Sequence, residues 1–208
     1  AFIDPPRETV PASIEACRTA GVRVAMITGD NSMTAHSIAH EVGIDSAGLK
    51  EHLVITGDEL ESLEEKDLAE KLKHVTIFSR ILPRQKMRIV KAFRTIGEVV
   101  AMTGDGVNDA PALKYADIGI AMGERGTQVA REAADMVLLN DDFATIVGTI
   151  RDGRRIYDNI RKAMEYVLVI HIPIALSALA APVLGLPAIL MPIHVVLLEM
   201  IIDPTCSI

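Results

Sequence analysis

The sequence predicts an α/β fold with a parallel sheet, followed by a long stalk helix and an α-helical membrane hairpin. In the first part of the chain, short apolar runs alternate with helical patterns, which is typical of a parallel sheet with right-handed crossovers. Turns rich in glycine and aspartate follow several of these runs. Between Tyr166 and Leu198 there is no Asp, Glu, Lys or Arg, and such a stretch is long enough to enter a bilayer. We therefore expect an α/β domain at 1–142, a stalk helix at 143–162 and two membrane helices at 163–208.

The first half of the α/β region is divided by its helix-terminating residues. Pro11 lies in the first turn of a helix that Gly21 ends, and Gly43 ends the next helix. The apolar runs between helices are typical of buried parallel strands. The expected elements are a strand that ends at Asp4, a helix Glu8–Ala20, a strand Val22–Ile27, a helix Met33–Val42, a strand Leu53–Ile55, a helix Leu60–Leu72 and a strand Val75–Phe78.

The second half of the region repeats the same alternation and then gives way to a long helix. The expected elements are an amphipathic helix Arg84–Ile96, a strand Glu98–Met102, a short helix Ala112–Ala116, a strand Asp117–Met122, a helix Thr127–Ala134 and a strand Asp135–Leu139. From Phe143 the apolar residues recur at helical spacing, and no proline follows before Pro173. A helix is therefore expected to continue from the α/β domain into the apolar stretch.

Charge and cysteine content exclude some classes of protein. The net charge is −7 and no Lys/Arg tract is present, so nucleic acid is not an expected partner. Cys17 and Cys206 lie far apart in different regions, which argues against a disulfide framework. The chain opens without Met and inside an apolar run, and it ends just after another. We interpret it as a piece of a larger protein.

The uncharged stretch is predicted to form two membrane spans. A single helix from Tyr166 to Leu198 would be roughly 50 Å long, whereas a hydrocarbon core is about 30 Å thick. Gly185-Leu186-Pro187 interrupts the stretch, so the spans are expected at 163–184 and 188–203. The alternative is a buried hairpin in a soluble protein. Basic residues just before a span mark the cytoplasmic side, where we expect the α/β domain. These residues are Arg151, Arg154, Arg155, Arg161 and Lys162.

Acidic residues follow three of the predicted strands. They are Asp4, Asp30 and the pair Asp105 and Asp109. The carboxyl ends of parallel strands share one edge of the sheet, where such folds bind ligands. Carboxylates there suit Mg²⁺, and the Thr28 hydroxyl and the Lys86 ammonium suit phosphoryl oxygens. The alternative is that the Asp/Gly turns are structural or calcium-like. No residue stands out as a nucleophile.

Four segments together resemble the P-type cation-transporting ATPases. They are Asp4-Pro5-Pro6-Arg7, Thr28-Gly29-Asp30, Pro83-Arg84-Gln85-Lys86 and Thr103-Gly104-Asp105-Gly106-Val107-Asn108-Asp109-Ala110-Pro111. The resemblance implies a phosphorylation domain with the haloacid-dehalogenase type of Rossmann-like fold, Mg²⁺ as cofactor and ATP as substrate. The family's Asp-Lys-Thr-Gly-Thr motif, whose aspartate is phosphorylated, is absent here, and so is the nucleotide-binding domain; both would lie before Ala1.

The resemblance also implies roles for individual residues. Asp105 and Asp109 would be the metal-binding residues for Mg²⁺, Asp109 would also take part in catalysis, and Asn108 would support the metal and phosphate site. Thr28 and Gly29 would contact the phosphoryl group, Lys86 would neutralise it, and Asp30 would act nearby. The residues expected to face the nucleotide or the domain hinge are Asp4, Arg7 and Arg80.

The resemblance places the two predicted spans at the family's fifth and sixth membrane helices. Glu199 and Asp203 are four residues apart and therefore share a helix face, and Pro204 would unwind the helix beside them. They are the candidate ion ligands; the alternative is that both lie in water at the cytoplasmic end. Calcium pumps of the family have a carboxylate where this chain has Ile172-Pro173-Ile174. They also have Asn where this chain has Glu199, and Thr where it has Ile202. Ca²⁺ is favoured, with H⁺ or another cation open.

Three functions compete at this stage. The first is a cation pump, of which this chain is a part that is inactive alone. Its partners would be the lipid bilayer, the transported cation and the remainder of the pump. The second is a membrane-anchored phosphatase of the same fold, which would need an aspartate nucleophile that is not visible. The third is a non-catalytic regulatory fragment.

Overall fold

The computed structural model describes residues 5–44, 53–185, 187 and 191–206. Its contacts divide the chain into two units, Ala1–Gly148 and Thr149–Ile208. In the described part of the first unit, strands alternate with helices, and two consecutive helices lie between the second and third strands. All strand pairs are parallel.

The first three strands form one ladder in the order β1-β3-β2. β3 is central and buried at all five positions, as expected for a parallel strand covered on both faces. Met26 and Val54 both lie opposite Ile77, from the two sides. The elements are α1 Thr9–Thr19, β1 Met26–Ile27, α2 Ser32–Val42, β2 Leu53–Thr56, α3 Gly57–Ser62, α4 Glu65–Leu72, β3 Val75–Ser79 and α5 Pro83–Thr95.

The next three strands form a second ladder in the order β4-β5-β6. A single 3-10 turn, Val107–Asp109, joins the first of these strands to its helix. The elements are β4 Ala101–Gly104, α6 Ala110–Tyr115, β5 Ile118–Met122, α7 Gln128–Ala133 and β6 Met136–Leu138. Among the described residues β1 pairs only with β3, and β4 pairs only with β5. Each of these two strands is therefore an edge of its ladder.

The two ladders share their hydrophobic packing. One buried cluster lies around Phe78 and Phe93, whose rings meet edge to face with centroids 6.1 Å apart. A second cluster contains Met102 and Leu113. Ile27, the last residue of β1, and Val100, just before β4, pack against both clusters. This common packing holds the ends of β1 and β4 in one domain.

Three elements differ most from the sequence prediction, while several others differ by one or two residues at an end. The strand expected at Val22–Ile27 is only Met26–Ile27, because an edge strand is paired only where β3 lies beside it. The helix expected at Leu60–Leu72 is two helices, because Leu63 and Glu64 are extended, with ψ of 135° and 157°. β4 begins later than Glu98 and continues to Gly104.

The long helix predicted after Phe143 is present. α8 runs from Phe143 to Val183, with Pro173 and Pro182 inside it, and is long and apolar enough to cross a membrane. α9 covers Pro192–Cys206, and its apolar part, Ile193–Ile202, is shorter. The expectation that Pro204 unwinds the helix is wrong, since α9 continues to Cys206. Proline lacks an N–H, so position 204 removes one helical hydrogen bond, and only two residues of α9 follow it.

Candidate functional site

The turn after β1 is ordered by its own side chains. The Thr28 hydroxyl donates to the Asp30 carboxylate (3.0 Å) and accepts from the Asp30 N–H (3.1 Å). Asn31 then caps α2 by accepting from the Thr34 N–H at 2.9 Å. Thr28 is half-buried, whereas Gly29 and Asp30 are exposed. The predicted trio therefore lies at a sheet edge with its carboxylate and one backbone segment open to solvent.

The turn after β3 lies directly against the turn after β1. The Arg80 N–H donates to the Asp30 carbonyl at 2.9 Å, and the Ile81 N–H donates to the Thr28 carbonyl at 3.0 Å. Arg80 adopts a left-handed conformation, with φ of 52°, which is uncommon for a residue other than glycine. Its carbonyl closely faces Gly57, so a larger residue at 57 would collide with this turn. The arrangement fixes the Arg80 backbone beside Asp30 and leaves the residue exposed.

Gln85 fixes the start of the next helix. Its side-chain oxygen accepts from the Leu82 N–H at 2.8 Å, and its amide donates to the Gly57 carbonyl at 2.9 Å. It is buried, and Pro83 occupies the first turn of α5. Sequence reasoning did not single out Gln85, although glutamine at the third helical position is a known capping signal. The next residue of α5 is Lys86.

Lys86 and Asp109 join the carboxyl ends of β3 and β4. The Lys86 ammonium donates to one oxygen of Asp109 at 2.6 Å. The other oxygen accepts from the N–H groups of Asp105 and Gly106, each at 3.3 Å. The Asp109 side chain is 6% exposed and that of Lys86 is 23% exposed. Both Asp109 oxygens are therefore engaged by the protein, while Lys86 keeps hydrogen atoms that face solvent.

Gly104 makes this arrangement possible. A Cβ added there would lie 2.6 Å from the Cβ of Asp109 and 2.9 Å from its Cγ. The glycine at the end of β4 thus lets the buried carboxylate pack directly against the strand. The glycine-rich character of this segment is apparent in the sequence, but the neighbour that requires it is not.

Asp105 has the surroundings expected of a cation ligand. It follows β4 directly and is exposed, and within the described part of the chain its carboxylate forms no hydrogen bond or ion pair. Its backbone is fixed, because its carbonyl accepts from the Thr127 N–H at 2.8 Å. Asn108 is also exposed, in the adjoining 3-10 turn. Oxygen donors of these types are those that Mg²⁺ takes in proteins, so the residues fit the ion.

The site residues are not all in mutual contact. In the described residues no hydrogen bond or ion pair joins the Thr28–Asp30 turn to Lys86, Asp105 or Asp109, and no three His, Cys, Asp or Glu side chains form a metal-binding group. Arg7 is exposed just before α1. Asp4 lies outside the described residues. Glu199 and Asp203 both lie in α9, in the second unit.

Asp141 is a residue near this edge that sequence reasoning did not assign. Its carboxylate accepts from the N–H groups of Gly123 (2.7 Å), Glu124 (3.2 Å) and Arg125 (2.8 Å). Desolvation opposes ionisation, but these hydrogen bonds and the Arg125 charge outweigh it and lower the pKa of Asp141. Its φ of 49° is left-handed, a conformation that Asp adopts more readily than most residues.

Comparison with family models identifies the fold family. Models of haloacid dehalogenase-like hydrolases match residues 1–117 and, separately, 87–150. Hydrolases of this family generally use Mg²⁺, which agrees with the oxygen donors at the edge of β4.

Curated relatives extend the similarity along nearly the whole chain. A calcium-transporting ATPase of Bacillus cereus is 45% identical over 202 residues, covering 97% of this chain and 22% of the relative. The endoplasmic reticulum calcium ATPase srcA of Aspergillus fumigatus is 45% identical over 205 residues, covering 97% of this chain and 21% of the relative. A probable cation-transporting ATPase F of Mycobacterium tuberculosis is 44% identical over 201 residues. The chain thus spans about a fifth of the length of the relatives it matches.

Solved structures agree with these relatives. A zinc-transporting PIB-type ATPase in its E2.Pi state superposes with a TM-score of 0.64 at 29% identity, over 89% of this chain and 24% of that one. The catalytic domain of the CPx-ATPase CopB-B superposes with a TM-score of 0.52 at 26% identity, over 70% and 45% of the two chains. The resemblance drawn from the four sequence segments is therefore confirmed. With α8, the relatives also indicate a membrane protein. The chain belongs to the haloacid dehalogenase-like hydrolase family, in the branch of the P-type cation-transporting ATPases.

Proposed function

We propose that this chain is part of an ATP-driven cation pump that forms and hydrolyses an aspartyl-phosphate with Mg²⁺. The observation that carries the proposal is the Lys86–Asp109 pair (2.6 Å), in which the carboxylate is buried and the ammonium half-buried, beside the exposed carboxylate of Asp105. A fixed ammonium and a carboxylate able to hold a divalent cation are the charges that phosphoryl transfer needs. The relatives are transport ATPases, which favours a pump over the alternative of a membrane-anchored phosphatase.

Each residue of the β4 edge has a distinct role in this proposal. Asp105 would hold Mg²⁺, which when bound neutralises charge on the phosphoryl oxygens. Asp109 supports the same loop but acts mainly on Lys86, because its two oxygens already accept three hydrogen bonds from the protein. Lys86 then offers its remaining N–H groups to a phosphoryl oxygen. Asn108 would contact phosphate from the adjoining 3-10 turn.

The β1 edge would bind the transferred group from the other side. Gly29 is exposed, so its backbone can approach an anion closely, and the Thr28 hydroxyl lies in the same turn. Asp30 accepts from that hydroxyl and orients it. Asp4, Arg7 and Arg80 are proposed to face the nucleotide or the hinge.

The transport half of the proposal concerns the second unit. Glu199 and Asp203 lie four residues apart in α9 and so share a face of that helix, where they would bind the cation. Ca²⁺ is favoured because several relatives are named calcium-transporting, with H⁺ or another cation as alternatives. The stalk at 143–162, the spans at 163–184 and 188–203 and the cytoplasmic position of the α/β domain stay predictions. The proposed partners are the lipid bilayer, the transported cation and the remainder of the pump.

A phosphoenzyme assay on the full-length protein tests the proposal. ATP labelled at the γ-phosphate should leave an acid-stable, hydroxylamine-labile label on the protein when Mg²⁺ is present. Asp105→Asn should greatly reduce the label, whereas Asp58→Asn, at an exposed carboxylate in α3, should not. Absence of label on the wild-type protein would refute the pump. Hydrolysis of ATP by the 208-residue chain alone would contradict the expectation that the phosphorylated aspartate lies outside this chain.

A further inference from the structure

The turn between β5 and α7 is held by a carboxylate, by the Leu138 carbonyl, which accepts from the Gly123 N–H at 2.9 Å, and by the Arg131 guanidinium, which donates to the Gly123 carbonyl at 2.8 Å. All three consecutive N–H groups from Gly123 to Arg125 point at Asp141, at 2.7–3.2 Å. The turn is tight as well, since a Cβ at Gly123 would lie 2.8 Å from the Leu138 carbonyl oxygen. A carboxylate is the side chain suited to this place, because it accepts on both oxygens and donates on neither.

This turn leads directly to the backbone contact that fixes Asp105. Gly126 packs so closely on the Met122 carbonyl that it has no room for a Cβ. The next residue, Thr127, donates its N–H to the Asp105 carbonyl at 2.8 Å and caps α7 with its hydroxyl. Two steps therefore connect Asp141 to Asp105: the carboxylate holds the turn, and the turn places the Thr127 N–H.

We propose that Asp141 is a positioning residue for the Mg²⁺ loop, acting on Asp105 through the 123–127 turn. This inference rests on the proposed function, because it takes Asp105 as the metal ligand. Residues one shell outside a metal ligand orient it, and their loss typically costs about 10- to 100-fold in metal affinity or activity. Asp141 differs from such residues in that it does not contact the ligand and acts two steps away, through the backbone of the 123–127 turn.

Two substitutions of Asp141 separate its charge from its backbone conformation. Asp141→Asn keeps the size and tolerates the left-handed φ, but its NH₂ group would face one of the three N–H donors. Asp141→Gly also tolerates that φ and removes the carboxylate altogether. Asp142→Asn is the matched control. Asp142 accepts from the Ala144 N–H (2.9 Å) and the Thr9 hydroxyl (3.2 Å), contacts that an amide oxygen can keep.

The test measures phosphoenzyme formation by the full-length protein against Mg²⁺ concentration, together with amide hydrogen exchange of residues 123–127. Both Asp141 variants are expected to raise the half-saturating Mg²⁺ concentration about tenfold. Both should also accelerate exchange at the Thr127 amide. Asp142→Asn should leave both quantities within about twofold of the wild type.

The outcomes distinguish this inference from the proposed function. If the wild-type protein takes up no label, the proposed function fails and the inference fails with it. If the wild type is labelled and the Asp141 variants exchange faster but keep the wild-type Mg²⁺ dependence, only the positioning role is refuted. The same holds if the Thr127 amide exchanges at the wild-type rate in both variants. If one variant does not fold, the other provides the comparison.

Discussion

Replacing Gly104 by alanine should disrupt the site through a single methyl group. The new Cβ would lie 2.6 Å from the Cβ of Asp109, whereas ordinary contacts begin at 3.4 Å, so about 0.8 Å of movement is needed. Asp109 has little freedom to move, because it is buried and held by Lys86 and two backbone N–H groups. Overpacking of this kind typically costs about 1–3 kcal/mol. An energy of that size corresponds to roughly 5- to 150-fold in a local opening equilibrium.

Gly106→Ala is the matched control for this prediction. A Cβ at Gly106 would meet its nearest atom, an Asp109 carboxylate oxygen, at 3.6 Å, which is ordinary contact. The backbone there is extended, with φ of −99°, so alanine fits without strain. Amide exchange of residues 101–110 in the full-length protein measures the opening. Exchange that is equally slow in Gly104→Ala and Gly106→Ala would refute the packing argument.

Three further predictions concern the pair, the turn and the buried thiol. Lys86→Met should lower the free energy of unfolding by about 3–5 kcal/mol, because it leaves the buried Asp109 carboxylate without its ammonium partner. Arg84→Met should cost about 0–1 kcal/mol, because its partner Glu61 is exposed; amide exchange of residues 105–109 compares the two. Since the pKa of Asp141 is lowered, its stabilisation of the turn is present above the ordinary Asp pKa of about 4. It is lost as pH falls through the lower folded pKa, where the protection of the 123–125 amides, relative to an unstructured peptide at the same pH, should decrease. Burial raises the pKa of Cys17 and covers its thiol, so iodoacetamide should label it at pH 8 more slowly in the folded protein than in urea.

The fold could be predicted from the sequence because its signals are local. Alternating apolar runs and helical patterns, and glycines such as Gly43 at helix ends, indicate a parallel α/β domain without knowledge of any long-range contact. The boundary errors have long-range causes. The pairing of β1 depends on β3, which lies some fifty residues later, so the length of the strand is not encoded in the apolar run alone.

The components of the site were easier to predict than their arrangement. The Thr28 turn meets the turn after β3, a contact that the sequence analysis did not name, because parallel topology brings the carboxyl ends of neighbouring strands to one edge. The partner of Asp109 could not be read from the sequence. Lys86 is 23 residues away in the sequence. It lies on a helix with several basic residues, and the sequence alone does not distinguish it from those that only face solvent. Asp141 was missed because one aspartate after a strand carries no sign of the three N–H groups it accepts.

Burial is what separates two aspartates that the sequence presents as equivalent. Asp105 and Asp109 lie in one glycine-rich segment, and both suit a divalent cation by residue type. A cation bound by Asp109 would have to approach a side chain that is 6% exposed and that already accepts from Lys86 and two backbone N–H groups. A cation at Asp105 displaces only water, since that carboxylate is exposed. The metal is therefore expected at Asp105. Asp109 instead holds the Lys86 ammonium in position for the phosphoryl group that the metal would also contact.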